Sequence, residues 1–276
     1  MTIAGSDPGG GAGFQADLKT FAAFGVHGYS VITAVIAQNS ARVERVHALD
    51  ACLVAEQVRV LLEERRPAAL KTGALASAPA VRAVAEAVRE FKLALLVVDP
   101  VLVSSSGSRL LDAAGEQLLK EQLLPLARVI TPNIPEAEAL TGVRIDGMAG
   151  MREAARALRS RTGARAVVIK GGHSASPSAS SGAVGAAVKP RVIDLLFDGR
   201  AFVTFSAVRI AGGGAHGTGC AYSAAIAACL ARGEGLEAAV RQAKAFVTRA
   251  LQHSYVLGAG RPILDHLAGL SRAPSR

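Results

Sequence analysis

The residues with the clearest chemical content are His216-Gly217-Thr218-Gly219-Cys220. They follow the glycine run Gly212-Gly213-Gly214-Ala215 and lead into residues 221–230, a stretch of strong helix propensity. Glycines at a helix start leave backbone N–H groups uncovered, and the helix dipole favours negative charge there. A cysteine in the first turn of such a helix is where a thiol pKa falls. An anion pocket beside a reactive Cys220 points to chemistry on a phosphate. The plainer alternative is an ordinary loop followed by an inert buried cysteine. Cys52 and Cys229 illustrate it, each within an apolar helical face and without a glycine-rich loop before it.

Two more candidates stand at strand ends. In Asn133-Ile134-Pro135-Glu136, an amide and a carboxylate at this spacing can orient waters around Mg²⁺, which prefers oxygen ligands. The same residues also read as a helix start with Glu in its first turn. Asp99 carries the same two readings. The N-terminal loop holds Gly11-Ala12-Gly13-Phe14-Gln15-Ala16, a loose G-x-G-x-x-A match. Dinucleotide binding would want an acidic residue at the end of the second strand, where Gln38-Asn39 stand instead. No Walker A motif is present: Gly212 and Gly217 have its separation, but Thr218 occupies the lysine position.

Alternating strands and helices position these residues. Strands are expected at 2–4, 30–37, 69–72, 93–98, 129–131 and 166–170. The run at 30–37 is continuously apolar and β-branched, as in a strand buried on both faces of a parallel sheet. Helices are expected at 14–24, 50–64 (N-cap Asp50), 77–90, 112–124, 148–160, 221–230 and 236–252. Residues 192–197 and 201–205 form a hairpin about Asp198-Gly199. The Ser/Ala/Gly-rich segment 174–187 reads as a mobile surface loop, and 259–276 as a C-terminal tail with a frayed Pro/Ser/Arg end. The alternation predicts one α/β domain over 1–276 with a mostly parallel sheet.

Composition narrows the function. Hydrophobic residues are 50% and charged residues 19% of 276, which supports a substantial core. The net charge is +9, but the arginines are scattered and aromatics are only 4%, which argues against nucleic acid. Attraction of anionic small molecules fits better. Three unpaired cysteines suit a reducing compartment. With no basic n-region at the start and no membrane-length apolar run, a cytoplasmic location and no membrane partner are expected.

Taken together, several blocks resemble the hydroxymethylpyrimidine/phosphomethylpyrimidine kinases of thiamin biosynthesis. They are 2–7 with 10–13, 15–20, 30–34 with 37–39, 71–73, 98–101, 131–136, 170–173 and 216–220, in the family's order. The resemblance implies the ribokinase-like three-layer α/β/α fold, ATP and Mg²⁺, an aminopyrimidine alcohol as acceptor, and a homodimer. It implies Cys220 as catalytic residue, acting as general base if its pKa is depressed. It also implies an anion hole from the backbone of Gly217, Thr218 and Gly219. Gln38, Asp17, Gly5 and Val101 would line the acceptor pocket, with Asp17 near the hydroxymethyl group. Lys170 would face the nucleotide; Glu136, Asn133 and Asp99 would serve the metal. The chain departs from the family at Gly213-Gly214-Ala215 and Ser105-Ser106-Gly107-Ser108, where members often carry lysines, and at Ala74, where some place methionine. A pyridoxal kinase-like activity on the same fold and a catalytically silent nucleotide-binding relative are the competing readings.

Overall fold

Short apolar runs separated by amphipathic segments can bury both strand faces only beneath helices on each side. The computed structural model describes residues 1–104, 106–173, 190–210 and 214–269. In chain order its elements begin with β1 (Thr2–Ala4), α1 (Gly13–Ala23), β2 (Ser30–Ile32), β3 (Ala34–Gln38) and β4 (Val43–Ala48). Next come α2 (Ala51–Glu64), β5 (Leu70–Thr72), α3 (Ala78–Glu90), β6 (Leu96–Val98) and α4 (Ala113–Leu118). β7 (Val129–Ile130), α5 (Ile134–Thr141), α6 (Met148–Thr162) and β8 (Val167–Ile169) follow. The hairpin β9 (Arg191–Phe197) and β10 (Phe202–Val208) precedes α7 (Thr218–Ala231) and α8 (Leu236–Gln252). Expected features at 174–187, at Ser105, at Gly212 and Gly213, and at the extreme C-terminus lie outside the described residues.

Eight strands form one sheet in the order β10-β9-β8-β7-β6-β5-β1-β2. All pairs from β2 to β8 are parallel; β9 and β10 add an antiparallel edge. One face packs Ile3, Leu70, Leu96, Val98, Ile130 and Ile169 against α2 to α6. The other packs Val97, Val129, Val168 and Leu196 against α1, α7 and α8. Each fully buried Leu, Ile or Val contributes about 1.5–3 kcal/mol. This is the expected three-layer α/β/α architecture. Among the described residues no helix is long and apolar enough to cross a membrane.

Two expectations need correction. The run 30–37 is not one strand. It breaks at Thr33, whose hydroxyl donates to Ala74 O (2.7 Å), and only β2 stays in the main sheet. β3 leaves it to pair antiparallel with β4, a strand not anticipated from sequence. Only one face of β3 is buried, with Val35 and Ala37 exposed. An unbroken apolar pattern therefore hid a change of environment. The helix expected at 112–124 is α only to Leu118, then π over Leu119–Leu123 and 3₁₀ over Leu124–Leu126, because Pro125 has no N–H to continue the ladder. The C-terminal tail packs onto the domain around residues 261–266, and the frayed end expected at its Pro/Ser/Arg residues lies outside the described residues. Ile263, Leu264, Asp265 and His266 are buried, Arg261 N donates to Ser40 O (3.2 Å), and His216 N donates to Pro262 O (2.8 Å).

α7 governs the placement of the site. Its residues Ala221 to Leu230 are all buried, so it has no solvent face, and five of them are alanines. Small side chains let α1 and α8 approach closely. Ala225→Leu should therefore overpack this layer and lower unfolding stability by about 1–3 kcal/mol. Urea denaturation checks this against Ala238→Leu, which lies on the exposed face of α8 and should change little.

Candidate active site

The chain reverses direction across the sheet beside β1, which has β2 on one side and β5 on the other. In open α/β sheets the crevice at the carboxyl ends of such strands is where ligands bind. Gly5 follows β1, Lys71 and Thr72 end β5, Asp99 follows β6, Thr131 follows β7 and Lys170 follows β8. The N-terminus of α7 comes down onto this row.

Gly217, the N-cap of α7, is left-handed (φ +81°), and a Cβ there would overlap the carbonyl of Gly11. No other residue type allows the N-terminal glycine loop and the α7 loop to meet this way. No side chain caps the helix. Thr218 turns inward on its own loop, its hydroxyl donating to Ala215 O at 2.7 Å and its N–H approaching the same oxygen at 3.4 Å. Gly219 and Cys220 are first-turn residues whose N–H groups have no intrahelical acceptor. A Cβ on Gly219 would lie 3.2 Å from Lys170 Nζ. The missing side chain thus brings the helix end and a lysine onto the same space.

Cys220 is half-buried. The lowered thiol pKa expected from its place on the helix is not what the structure supports. Burial pushes the thiol up to about 11; Lys71 and the Gly13 N–H oppose this, while Asp17 and Asp99 add to it. The helix end acts on this thiol within a site too dry to favour a thiolate.

Two ion pairs flank the cysteine. Lys71 Nζ lies 3.0 and 2.9 Å from the two carboxylate oxygens of Asp17, and Thr2 Oγ1 donates to the same carboxylate at 2.6 Å. Both charged side chains are fully buried. Burial works against the Lys71 ammonium, but Asp17 together with Cys220 and Asp99 outweighs it and holds the lysine charged. Asp17 is thus the buried partner of Lys71. Lys71 stood in a recognisable block, but a lysine inside an apolar strand gave no sign of its partner. On the other side Lys170 Nζ lies 2.7 Å from Asp99 Oδ1. Thr131 Oγ1 donates to the same oxygen (3.1 Å), and Ser223 Oγ donates to Asp99 Oδ2 (3.3 Å). Thr131 and Ser223 were not singled out from sequence.

Asn133 and Glu136 form a capping box on α5: Glu136 N donates to Asn133 Oδ1, and Asn133 N donates to Glu136 Oε2, each at 2.8 Å. The helix-start reading is therefore realised, and the Asn133 side chain is engaged in it. Burial pushes the Glu136 carboxyl up to about 7, with Lys170 opposing. Among the described residues no group of three or more His, Cys, Asp and Glu side chains is placed to hold a metal ion.

Of the residues expected to line an acceptor pocket, Gln38 ends β3, Gly5 follows β1 and Val101 follows β6. Gln38 Nε2 donates to Ser6 O (3.2 Å), Ile36 N donates to Ser6 Oγ (2.9 Å), and Gly5 N donates to Ala74 O (2.9 Å). Val101 and Ala74 pack in one small apolar cluster with Ala34, Ile36 and Leu110. A cavity of about 520 Å³ lined by Arg128, Leu196, Asp198, Val203, Leu236 and Arg241 is at the opposite end of the strands, away from this chemistry.

A family model for phosphomethylpyrimidine kinase matches residues 7–265. The chain is 43% identical over 267 residues to the thiamine biosynthesis bifunctional protein ThiED of Geobacter sulfurreducens, covering 97% of this chain and 52% of that one. It therefore spans about half the length of that bifunctional relative. It is 38% identical over 272 residues to a hydroxymethylpyrimidine/phosphomethylpyrimidine kinase of Staphylococcus aureus, covering 99% and 94% of the two chains. Among solved structures, an ADP complex of Bacillus subtilis pyridoxal kinase superposes with a TM-score of 0.84 at 34% identity over 97% of this chain and 96% of that one. With a match of this extent lying over a charged crevice at the sheet's carboxyl edge, the chain belongs to the phosphomethylpyrimidine kinase family.

Proposed function

We propose that residues 1–276 act as one kinase unit. It transfers the γ-phosphoryl group of ATP to the hydroxymethyl oxygen of 4-amino-5-hydroxymethyl-2-methylpyrimidine, and then phosphorylates the monophosphate. The observation that carries this reading is the uncapped first turn of α7 with Lys170 beside Gly219; Gly5, Gln38 and Val101 are read as lining the acceptor pocket. Gln38 offers an amide, donor and acceptor together, to the aminopyrimidine edge. The N–H groups at Gly217 to Cys220 receive the phosphoryl group in flight, with Lys170 beside Gly219 to neutralise its charge. The acceptor oxygen forms its bond to phosphorus as the bond to the β–γ bridging oxygen breaks and ADP leaves.

Cys220 has a changed role in this reading. With its thiol pushed up to about 11, it is protonated at neutral pH and serves the acceptor oxygen as a neutral hydrogen-bonding group. In a loose transition state the acceptor bonds late, so its proton is released to solvent after transfer and no strong base is required. Asp17 acts through Lys71 rather than on the substrate.

Mg²⁺ belongs to the same reading; when bound it neutralises charge on the transferring phosphates. The donor set fits an ion that takes one or two carboxylates and keeps several waters. Glu136 is the foremost candidate through the oxygen outside its capping box. Asp99 contributes through its neighbours, since both of its oxygens already accept hydrogen bonds. The cation would favour the ionised form of Glu136. A homodimer completes the reading by resemblance.

A coupled ADP-release assay with ATP, Mg²⁺ and the aminopyrimidine should show turnover above background, with a higher kcat/KM than for pyridoxal. A preference for pyridoxal would overturn the choice of acceptor, and no turnover with either would favour the silent relative. Cys220→Ala should lower kcat about 10- to 100-fold, as expected for one lost hydrogen bond of about 1.5–3 kcal/mol. Cys220→Ser keeps a donor and should lose less. Equal losses in the two would point back to a thiolate base. In a chain lacking Cys52 and Cys229, iodoacetamide alkylation of Cys220 should still be accelerating at pH 9. A plateau below pH 8 would contradict the raised thiol pKa.

A further inference from the structure

The Asp7 carboxylate is fully buried, yet it lies in a loop and touches no lysine or arginine among the described residues. Its Oδ2 accepts from Gly11 N (3.0 Å) and Ala12 N (2.7 Å), and its Oδ1 from Gly9 N (3.1 Å). The fourth group is remote in sequence: His216 Nε2, 2.9 Å from Oδ2. His216 is itself buried and immediately precedes Gly217. Burial raises the Asp7 carboxyl pKa, but the His216 and backbone donors outweigh it and keep the group below the ordinary carboxylate value.

The two ends of this carboxylate's chain neighbourhood reach different parts of the site. Upstream, Ser6 accepts from Gln38 and Ile36 and so carries the acceptor pocket. Downstream, Gly11 is locked against the α7 loop: its carbonyl occupies the space where a Gly217 Cβ would be, and a Cβ on Gly11 would lie 3.0 Å from His216 Cδ2 and 3.1 Å from Ile263 Cγ2. Across the contact, His216 N is held by Pro262 O (2.8 Å). The Asp7–His216 contact is therefore the side-chain tie between the segment that carries Ser6 and the loop that leads into α7.

We propose that Asp7 and His216 are positioning residues for phosphoryl transfer: their contact fixes the α7 anion hole against the acceptor pocket. This rests on the reading of the α7 N-terminus as the hole. Neither residue touches substrate in this role. What the contact controls is the distance and angle between the acceptor oxygen and the phosphorus. A misplacement of about 1 Å is enough to lose roughly 100-fold in rate. The effect therefore falls on kcat, while binding of the pyrimidine, made by Gln38 and its neighbours, is largely kept.

The test compares His216→Ala, His216→Gln, Asp7→Asn and the double variant D7N/H216A in the ADP-release assay, with thermal melting of each. His216→Ala should lower kcat roughly 100-fold with the pyrimidine KM changed less than about threefold. His216→Gln places an amide nitrogen where Nε2 stood and should recover at least tenfold of that loss. The double variant should be no slower than the worse single one, because both remove the same contact. Independent losses that multiply, a fall confined to KM, or equal activity of the Ala and Gln variants would overturn the proposal. Should His216→Ala not fold, the Gln variant and Asp7→Asn carry the same comparison. Hydrogen exchange then supplies a second readout, with faster exchange expected in both the 5–13 and 214–222 peptides of Asp7→Asn. Unchanged exchange in the 214–222 peptide would also overturn it. Gly219→Ala separates this proposal from the reading beneath it. Full activity in Gly219→Ala would remove the anion hole itself, whereas a slow Gly219→Ala with unaffected Asp7 and His216 variants would remove only the positioning role.

Discussion

A helix buried on every side must place its N-terminus with care, and much of this structure accommodates that end of α7. Ala221 to Leu230 have no solvent face, and the exposed N–H groups of the first turn, with the Ser223 hydroxyl on Asp99, are the helix's contact with chemistry. They meet a sheet edge carrying Lys71 and Lys170, which alone would oppose the positive end of the dipole. Asp17 and Asp99 make the arrangement tolerable. Each is committed to one lysine at 2.7–3.0 Å and to at least one hydroxyl. The edge is close to neutral with its carboxylates already engaged, so an arriving phosphoryl group meets donors and ammonium groups with their counter-charges held in place.

The same dryness decides the behaviour of Cys220. A helix N-terminus and a neighbouring lysine both favour a thiolate, yet desolvation is the largest influence and acts the other way. Replacing water by fixed dipoles helps a charge that develops briefly in a transition state more than one that must be carried at rest. A site arranged to stabilise the transferring phosphoryl group can thus keep its cysteine neutral.

The parallel strands, α1 to α3 and the hairpin were legible because each has a periodicity or a turn signal of its own. Asp50 and Ser77 cap α2 and α3 as local pattern suggests, and Asp198 accepts from the two N–H groups that shape the β9–β10 turn. What was not legible depends on partners distant in the chain. Apolar residues at 30–37 cannot disclose that the chain leaves the sheet at Thr33, because the signal is the Ala74 carbonyl. Lys71 gains its meaning only from Asp17, 54 positions away, and Asp7 from His216, 209 away. The packed segment after 259 is also invisible locally: its anchors are Ser40 and His216 rather than an amphipathic face of its own. In the site itself, sequence pattern located the glycine–cysteine turn, and the surroundings reversed the expected direction of the thiol's titration.

The break at Thr33 also divides the labour of the site. Gln38 sits on the β3–β4 ribbon, which has one buried face and its own small apolar cluster. The lysines and carboxylates sit at the ends of strands covered on both faces, where a change of one methylene is felt by the whole stack. Ala74 and Val101 pack with Ala34, Ile36 and Leu110 in a cluster separate from the two large cores. This gives a physical reason why one scaffold, at a TM-score of 0.84, supports both this family and a pyridoxal kinase. In the proposed reading, the acceptor ring is met by the ribbon and the transferring phosphoryl group by groups anchored in the core. Any altered ribbon must still meet the α7 end at the correct distance, and the segment from Ser6 to Ala12 is the piece of chain that touches both.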